Sequence, residues 1–389
     1  MTGRRVPRVT ITSRLFAPEV GAAAYRLKAL ADGLAAKGAE VRVLTTKPPK
    51  ALKGTDADYE VRRWPVLRDA GGNVRGYIQY LSFDVPLFLR LLLSPKPDVV
   101  VVEPPPTTGL VVKTVCLLRR IPYVYFSADV SSSAAKGIGL RGPALKLLTW
   151  MERTVLKSAA GILAVSDGVS QEVEALTGRK QGIFMVGTGV DTDTFTLDGD
   201  ARSGEGRYFV YAGTMSEIQG AQVFIDGFAL IAKDNPDVRL LMFGQGVELE
   251  ALKARSASLG AQVEFRPPTS GSEVASWFRG SLASLASVRP GKGYDFAFAT
   301  KSLAGLAAGA PAIYAGVGPM VQLIEDNRLG VATGWDAASV AVAMKAVIAS
   351  PVSDDDRSRL SAWTEKNFSL RAVGRTAAAR VLESAGAGS

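Results

Sequence analysis

Two doubly wound α/β domains, each a parallel sheet covered by helices, are what this sequence predicts. Three observations lead there. Strand-like apolar runs alternate with amphipathic stretches, and the alternation occurs twice along the chain. A polar segment without periodicity, residues 196–207 (TLDGDARSGEGR), separates the two series. At 389 residues and 47% hydrophobic content the chain is too long for one ordinary core.

The first series reads RVTITS, an amphipathic helix over 22–37, EVRVLTT, then PDVVVVE, IPYVYFS and GILAVS. PDVVVVE has no polar alternation, which marks a strand buried on both faces. The second series reads RYFVYAGT, a helix over 220–233, VRLLMFGQG, a helix over 247–259, QVEFRPP and a helix from Ser272. Phe209, Tyr211 and Phe243 fall in these strands and are expected in the core. From Asp354 the chain is helical, with an apolar stripe at Leu360, Trp363, Phe368, Val373 and Ala377. The expected organisation is therefore an N-terminal domain 1–195, a linker 196–207, a C-terminal domain 208–353 and a helical segment 354–389 crossing the two. In such a pair, ligands bind at the carboxyl ends of the strands, here in an interdomain cleft.

Composition excludes much chemistry. Histidine is absent, so no mechanism here uses an imidazole base or a His-ligated zinc. Cys116 is the one cysteine and sits among Val and Leu, where a small core residue is expected. Residues 1–195 hold 27 Lys/Arg against 17 Asp/Glu, a net of +10, while the remainder nets −1. Clustered cations suit a phosphorylated ligand or an anionic membrane surface. No nucleic-acid signature accompanies them, so nucleic acid is not an expected partner. The start MTGRRVPRVTITS lacks an apolar signal core, and a cytoplasmic location is expected. The most apolar segment, 77–93, is broken by Asp84, Pro86 and Arg90 and is too short to span a bilayer; it reads as a buried or surface-lying helix. Arg68, Arg75 and Arg90 keep peripheral contact with the inner face of the membrane open.

Two segments carry the chemistry. In 293–316, GYDFAFATKSLAGLAAGAPAIYAG, Thr300, Lys301 and Ser302 open a helix followed by Ala304, Gly305, Ala307, Ala308 and Gly309. A helix start of this kind accepts an anion on its free N–H groups, with Lys301 as a point charge and the small residues letting a ligand approach. The other reading is that Ala and Gly permit tight helix-on-sheet packing. In the first loop, Ala17 to Arg26, Gly21 and Ala22 begin a helix after the first strand. Only one glycine is present and no acid ends the second strand, which disfavours a dehydrogenase. Glu19, Arg14 and Arg26 flank this loop as an Arg–Glu surface pair or as contacts to phosphate or acceptor.

With these motifs in place, the chain resembles the family 4 retaining glycosyltransferases of the two-domain GT-B fold, most closely the O-antigen and capsule aminosugar branch. The similarity runs from about Arg8 to Phe368 and rests on the first loop with its helix, PDVVVVEPPP, VSDGVSQEV with GTGVDTDTF, YAGTMSEIQG, FGQGVELEALKA and ATKSLAGLAAGAPAIYAG. The resemblance implies an N-terminal domain for a sugar or lipid-linked acceptor and a C-terminal domain for a nucleotide-diphosphate sugar, with no cofactor and no metal. It implies that Glu19, Gly21, Ala22 and Arg26 face the acceptor and phosphates. Gly213, Thr214, Gln219, Gly220, Gly244, Arg266, Thr300, Lys301 and Ser302 would bind donor. Lys301, Asp129 and Asp295 would be catalytic, in a front-face transfer where the leaving phosphate takes the acceptor proton.

The chain also departs from the pattern. The cation that relatives place in the 215–220 loop is missing, and Ala304 stands where many keep a ribose-binding glutamate. Asp295 is the upstream acid at a shifted spacing and reads equally as a turn residue. Asp129 opens DVSSS where relatives have D-x-W-P-E, and reads either as an acceptor-facing group or as a helix cap. A cell-envelope polysaccharide acceptor is the leading expectation. A natural-product acceptor, a nucleotide-sugar 2-epimerase and a non-catalytic scaffold are the alternatives.

Overall fold

The structure is a computed structural model that describes residues 5–386 except 20, 50–57, 70, 71, 73, 75, 138, 293, 296 and 297. Val20 of the first loop, Arg75 beside the apolar segment, and Gly293 at the head of the 293–316 stretch thus lie outside the described residues. The chain divides into two compact units, Met1–Thr188 with Leu370–Ser389, and Gly189–Ser369.

The first unit runs β1 (Arg8–Thr12), α1 (Ala22–Ala36), β2 (Glu40–Thr46), β3 (Glu60–Trp64), α2 (Tyr77–Leu93), β4 (Val99–Val102), α3 (Pro106–Arg119), β5 (Tyr123–Ser127), α4 (Ser131–Gly137), α5 (Gly142–Ser158), β6 (Gly161–Ala164), α6 (Asp167–Thr177) and β7 (Ile183–Met185). Its seven strands are parallel in the order β3-β2-β1-β4-β5-β6-β7. β4 is fully buried, because its four valines alternate between two cores. Val100 and Val102 face Phe83, Leu87 and Leu91 of α2 with α3 and α5, while Val99 and Val101 face α1. Burying each such side chain contributes about 1.5–3 kcal/mol. Cys116 is buried in the first of these cores, and burial pushes its thiol up to about 12.

The second unit runs β8 (Arg207–Ala212), α7 (Gln222–Ala229), β9 (Val238–Phe243), α8 (Leu249–Leu259), β10 (Val263–Arg266), α9 (Gly271–Gly280), β11 (Ala283–Ser287), α10 (Thr300–Ala307), β12 (Ala312–Ala315), α11 (Pro319–Asn327), β13 (Gly330–Thr333), α12 (Ala337–Ala349) and α13 (Asp354–Phe368). Its six strands are parallel in the order β10-β9-β8-β11-β12-β13. Phe209 and Tyr211 are wholly buried and Phe243 nearly so. The 196–207 stretch lies within this unit, where Arg279 donates to the carbonyls of Thr196 and Asp200.

The C-terminal stripe folds as two helices. α13 packs on α10 in the second unit, and α14 (Leu370–Gly386) packs on α1 in the first. The α1–α14 contact needs glycine on both sides. A Cβ on Gly33 would stand 2.7 Å from the Gly374 carbonyl oxygen, and one on Gly374 would stand 2.2 Å from that of Ala29.

Candidate functional site

Each sheet reverses its strand order once, between β1 and β4 and between β8 and β11, and the candidate residues gather at the carboxyl ends of those strands.

In the first unit a pocket of about 360 Å³ opens there, lined by Arg14, Glu19, Arg26, Tyr80, Glu103 and Asp129 among others. Arg26 Nη2 lies 3.3 Å from Glu103 Oε2, and its guanidinium rests 5.1 Å above the Phe126 ring. Ser13 Oγ donates to Glu103 Oε1 at 2.6 Å. Burial pushes the Glu103 carboxyl up, and the Arg26 charge opposes it. Glu19 is buried under a two-pronged contact from Arg68, at 2.8 and 3.0 Å, and accepts from Thr46 Oγ1. The expected Arg–Glu surface pair is therefore two buried pairs with different partners. The chain following β3 brings Arg68 back across the strand ends, and the end of β4 supplies Glu103. Arg14 donates to the Val74 carbonyl at 2.5 Å and lies 4.2 Å over the Tyr80 ring. Arg14 Nε and Arg26 Nε are buried donors with no hydrogen-bond partner among the described residues.

Gly21 precedes α1 with its carbonyl accepting from Tyr25, and Ala22 is exposed at the first helical position. Asp129 lines the pocket. Burial raises its carboxyl, against the Arg26 charge and a hydrogen bond from Ser131. The start of α4 is capped from elsewhere: Glu152, buried on α5, accepts the N–H groups of Ser131 and Ser132 at 2.7 and 2.9 Å.

In the second unit the loops after β8 and β9 lie against each other. Gly213 N–H donates to the Phe243 carbonyl, Met215 N–H to that of Gln245, and Gly244 N–H to that of Arg266. A Cβ on Gly244 would fall 2.0 Å from the Gly213 oxygen, and Gly244 has φ +144°. A Cβ on Gly213 would fall 2.1 Å from Lys301 Cε, so the lysine stem lies directly across that glycine. Lys301 Nζ donates to Gln219 Oε1 at 2.9 Å, and Ser287 Oγ at the end of β11 holds the Gln219 carbonyl at 2.6 Å. Gly220 admits the Trp335 indole, whose N–H donates to the Gly220 carbonyl at 3.1 Å.

Burial alone pushes the Lys301 ammonium down to about 8. Its described hydrogen bond is to a neutral amide, and no ion pair with a carboxylate occurs among the described residues. An uncompensated cation of this kind is costly unless a ligand brings the anion.

The other predicted residues are placed as follows. Thr300 starts α10, and Ser302 is fully buried with its Oγ unpartnered among the described residues. Thr214 is exposed, its carbonyl accepting from Tyr211. The Arg266 guanidinium stacks 4.3 Å over Trp277 and pairs with Glu264. Asp295 is exposed and accepts the Gly291 N–H at 2.9 Å, a turn contact. The small residues over 305–308 pack closely: Ala307 and Ala308 are buried, and a Cβ on Gly305 would meet Ser284 of β11 at 2.2 Å.

Sequence reasoning missed Glu103, Arg289 and Lys292, and it set Arg68 towards a membrane surface where the structure pairs it with Glu19. Glu103 follows a buried strand as Asp129 does, and that signal was available. Arg289 and Lys292 lie on the loop after β11 and reach Glu217 of the 215–220 loop at 3.8 and 2.6 Å, so cations stand beside the loop that carries none of its own.

Two parallel α/β units with strand-end sites of this kind define a GT-B protein. Residues 21–189 match the glycosyl transferase 4-like domain and residues 206–350 match the glycosyl transferases group 1 domain. Together these span most of the chain, and the chain belongs to this family of glycosyltransferases. It is 27% identical over 243 residues to the D-inositol 3-phosphate glycosyltransferase of Paenarthrobacter aurescens (strain TC1), covering 58% of this chain and 57% of that one. With the like-named protein of Arthrobacter sp. (strain FB24) it shares 28% over 179 residues, 44% of this chain and 40% of that one. The chain thus spans about half the length of the curated relatives it matches. Among solved structures, WaaG, a glycosyltransferase involved in lipopolysaccharide biosynthesis, superposes with TM-score 0.72 at 17% identity over 96% of this chain and 99% of that one. Anabaena HepE in complex with UDP-glucose gives 0.68 at 12% identity over 97% and 99%. No helix among the described residues is long and apolar enough to cross a membrane.

Proposed function

We propose that the chain is a retaining glycosyltransferase that moves a sugar from a nucleoside-diphosphate sugar to a hydroxyl of a sugar or lipid-linked acceptor of cell-envelope polysaccharide synthesis. The observation that carries this reading is Lys301, a cation with a burial-lowered charge affinity, held by Gln219 across a glycine at a strand end. A diphosphate supplies the anion that this lysine lacks. Anabaena HepE, of the same fold, was solved with UDP-glucose.

In the proposed step the sugar–diphosphate bond breaks and a bond to the acceptor oxygen forms on the same face of the ring. The acceptor proton passes to the leaving diphosphate. Lys301 stabilises the charge on that group, a role that serves in place of a metal ion. The pocket of the first unit takes the acceptor, with Arg14 Nε and Arg26 Nε as free donors and Asp129 as an acceptor for a hydroxyl. Asp129 orients that hydroxyl, while the leaving diphosphate takes its proton.

The test is thermal stability against a panel of UDP-, GDP- and dTDP-sugars. A donor at ~100 times its dissociation constant adds roughly 2.7 kcal/mol. Silence across the panel removes the transferase reading and leaves a non-catalytic member of the family.

A further inference from the structure

On α2 the positions Tyr77, Ile78, Leu81, Val85, Leu89 and Leu93 are 54 to 80% exposed. They recur at helical spacing, and the one other exposed residue of that helix is Arg90. The opposite stripe, Phe83, Leu87 and Leu91, is in the core. A helix of a soluble monomer turns its polar side to water, whereas α2 is apolar on both.

The surface continues. α3 packs beside α2 and exposes Leu117 and Leu118, and α5 packs beside α3 and exposes Leu147 and Trp150. All three helices cover the same face of the sheet. Their charges are one-sided. The exposed ionisable residues are Arg90 on α2 with Lys146, Arg153 and Lys157 on α5. The acids of these helices are withdrawn: Asp84 is buried on Thr108 at 2.6 Å, and Glu152 is buried on the start of α4.

We propose that the α2–α3–α5 face of the first unit docks on an anionic lipid bilayer. An apolar stripe rimmed by cations and free of exposed carboxylates matches the headgroup–acyl boundary, where apolar side chains leave water and Lys/Arg meet anionic headgroups. A protein partner of ordinary mixed charge gives no reason for the absence of acids. At 17 residues, with Asp84 buried beneath it, α2 lies in the interface rather than across it.

Both ends of α2 open on pockets. Its first turn contributes Tyr80 to the pocket of Arg14, Arg26 and Asp129, so docking sets that pocket at the lipid surface. Its last turns line a second pocket of about 450 Å³, with Leu89 and Leu93 beside Arg62 and Arg90. The docking itself stands on surface chemistry; only the statement that it delivers a lipid-linked acceptor rests on the transferase reading.

The experiment is co-sedimentation of the whole chain with phosphatidylcholine vesicles, with and without phosphatidylglycerol, at low and high salt. The wild type is expected to pellet with the anionic vesicles at low salt and to be released by salt. The double variant Leu81→Gln/Leu89→Gln is expected to lose binding by at least about tenfold, since two leucines no longer leave water. Lys146→Glu/Lys157→Glu loses the preference for phosphatidylglycerol. Both pairs lie in exposed positions of the first unit, so unchanged melting temperatures and circular-dichroism spectra show that the variants are folded. Wild-type protein that stays in the supernatant overturns the proposal, as does a double variant that pellets normally. A dimer in light scattering that Leu81→Gln/Leu89→Gln dissolves also overturns it, by giving the stripe to a second copy. A protein that docks but binds no nucleotide sugar keeps this inference and loses the transferase reading.

Discussion

Lys301 Nζ lies 2.9 Å from Gln219 Oε1, and the two residues are 82 positions apart in sequence. The amide is neutral, so the contact orients the ammonium without neutralising it. The first consequence is a pair of opposite effects. Lys301→Met removes a buried charge whose displacement from 10.5 to about 8 reflects a cost on the order of 3 kcal/mol at neutral pH. The variant without ligand should melt no lower than wild type, and higher if packing is kept. Its turnover should fall by about 10²-fold or more, the loss typical for removing one stabilising donor. Lys345→Ala, on an exposed position of α12, should change neither. A Lys301→Met protein with wild-type turnover removes the lysine from the mechanism.

The same shift sets a pH dependence. An unfolded lysine keeps its proton to about 10.5, while folded Lys301 releases it near 8. Between these values the unfolded chain binds more protons, so the contribution of Lys301 to stability rises with pH through that window. Diphosphate binding runs the other way. It favours the charged form, so affinity should hold below about 8 and fall towards tenfold per pH unit above it. Calorimetry in buffers of different ionisation enthalpy should show proton uptake on binding above pH 8, and none in Lys301→Met.

The architecture was legible because it is written in local periodicity. The apolar run VVVV is β4, and the segment 77–93 is α2 at both ends. The candidate site was legible only in part. Gly213 and Gln219 stand in one motif and Lys301 in another, and nothing in their spacing states that the lysine stem crosses the glycine. The run Ala304 to Gly309 left two readings open for a related reason. Small residues serve ligand approach or close packing, and only the neighbour decides; here it is Ser284 on β11. Glu103 pairs with Ser13 and Arg26 over 90 and 77 positions, distances at which periodicity carries no signal.

Gly244 should be intolerant of alanine in a way that Gly260 is not. At Gly260, φ is +63° and an added Cβ meets nothing within 4 Å, so Gly260→Ala should cost about 1 kcal/mol for the backbone alone. At Gly244 the added Cβ meets the Gly213 carbonyl at 2.0 Å, and the loop under Lys301 must move. Gly244→Ala should therefore destabilise more and also abolish the donor-induced thermal shift. Equal losses of stability and an intact shift in both variants would show that the two loops do not need this contact.

The pair Arg26–Glu103 should be worth more when broken than when removed. With side chains only 11% and 6% exposed, neither charge is well hydrated. Arg26→Met leaves the Glu103 carboxylate with Ser13 alone, and stranding a buried charge costs roughly 3–5 kcal/mol. Glu103 already holds its proton more tightly than an ordinary carboxyl, and loss of the arginine that opposes this pushes it further up. Unfolded chains then release that proton at lower pH than folded ones, so the deficit of Arg26→Met should shrink in acid and grow as pH rises through the folded value. Adding Glu103→Gln should restore most of the loss, because the amide still accepts from Ser13 Oγ and no charge stays buried. Urea denaturation of the two single variants and the double variant gives the coupling directly. A double variant whose loss is the sum of the singles would show that the buried pair contributes nothing as a pair.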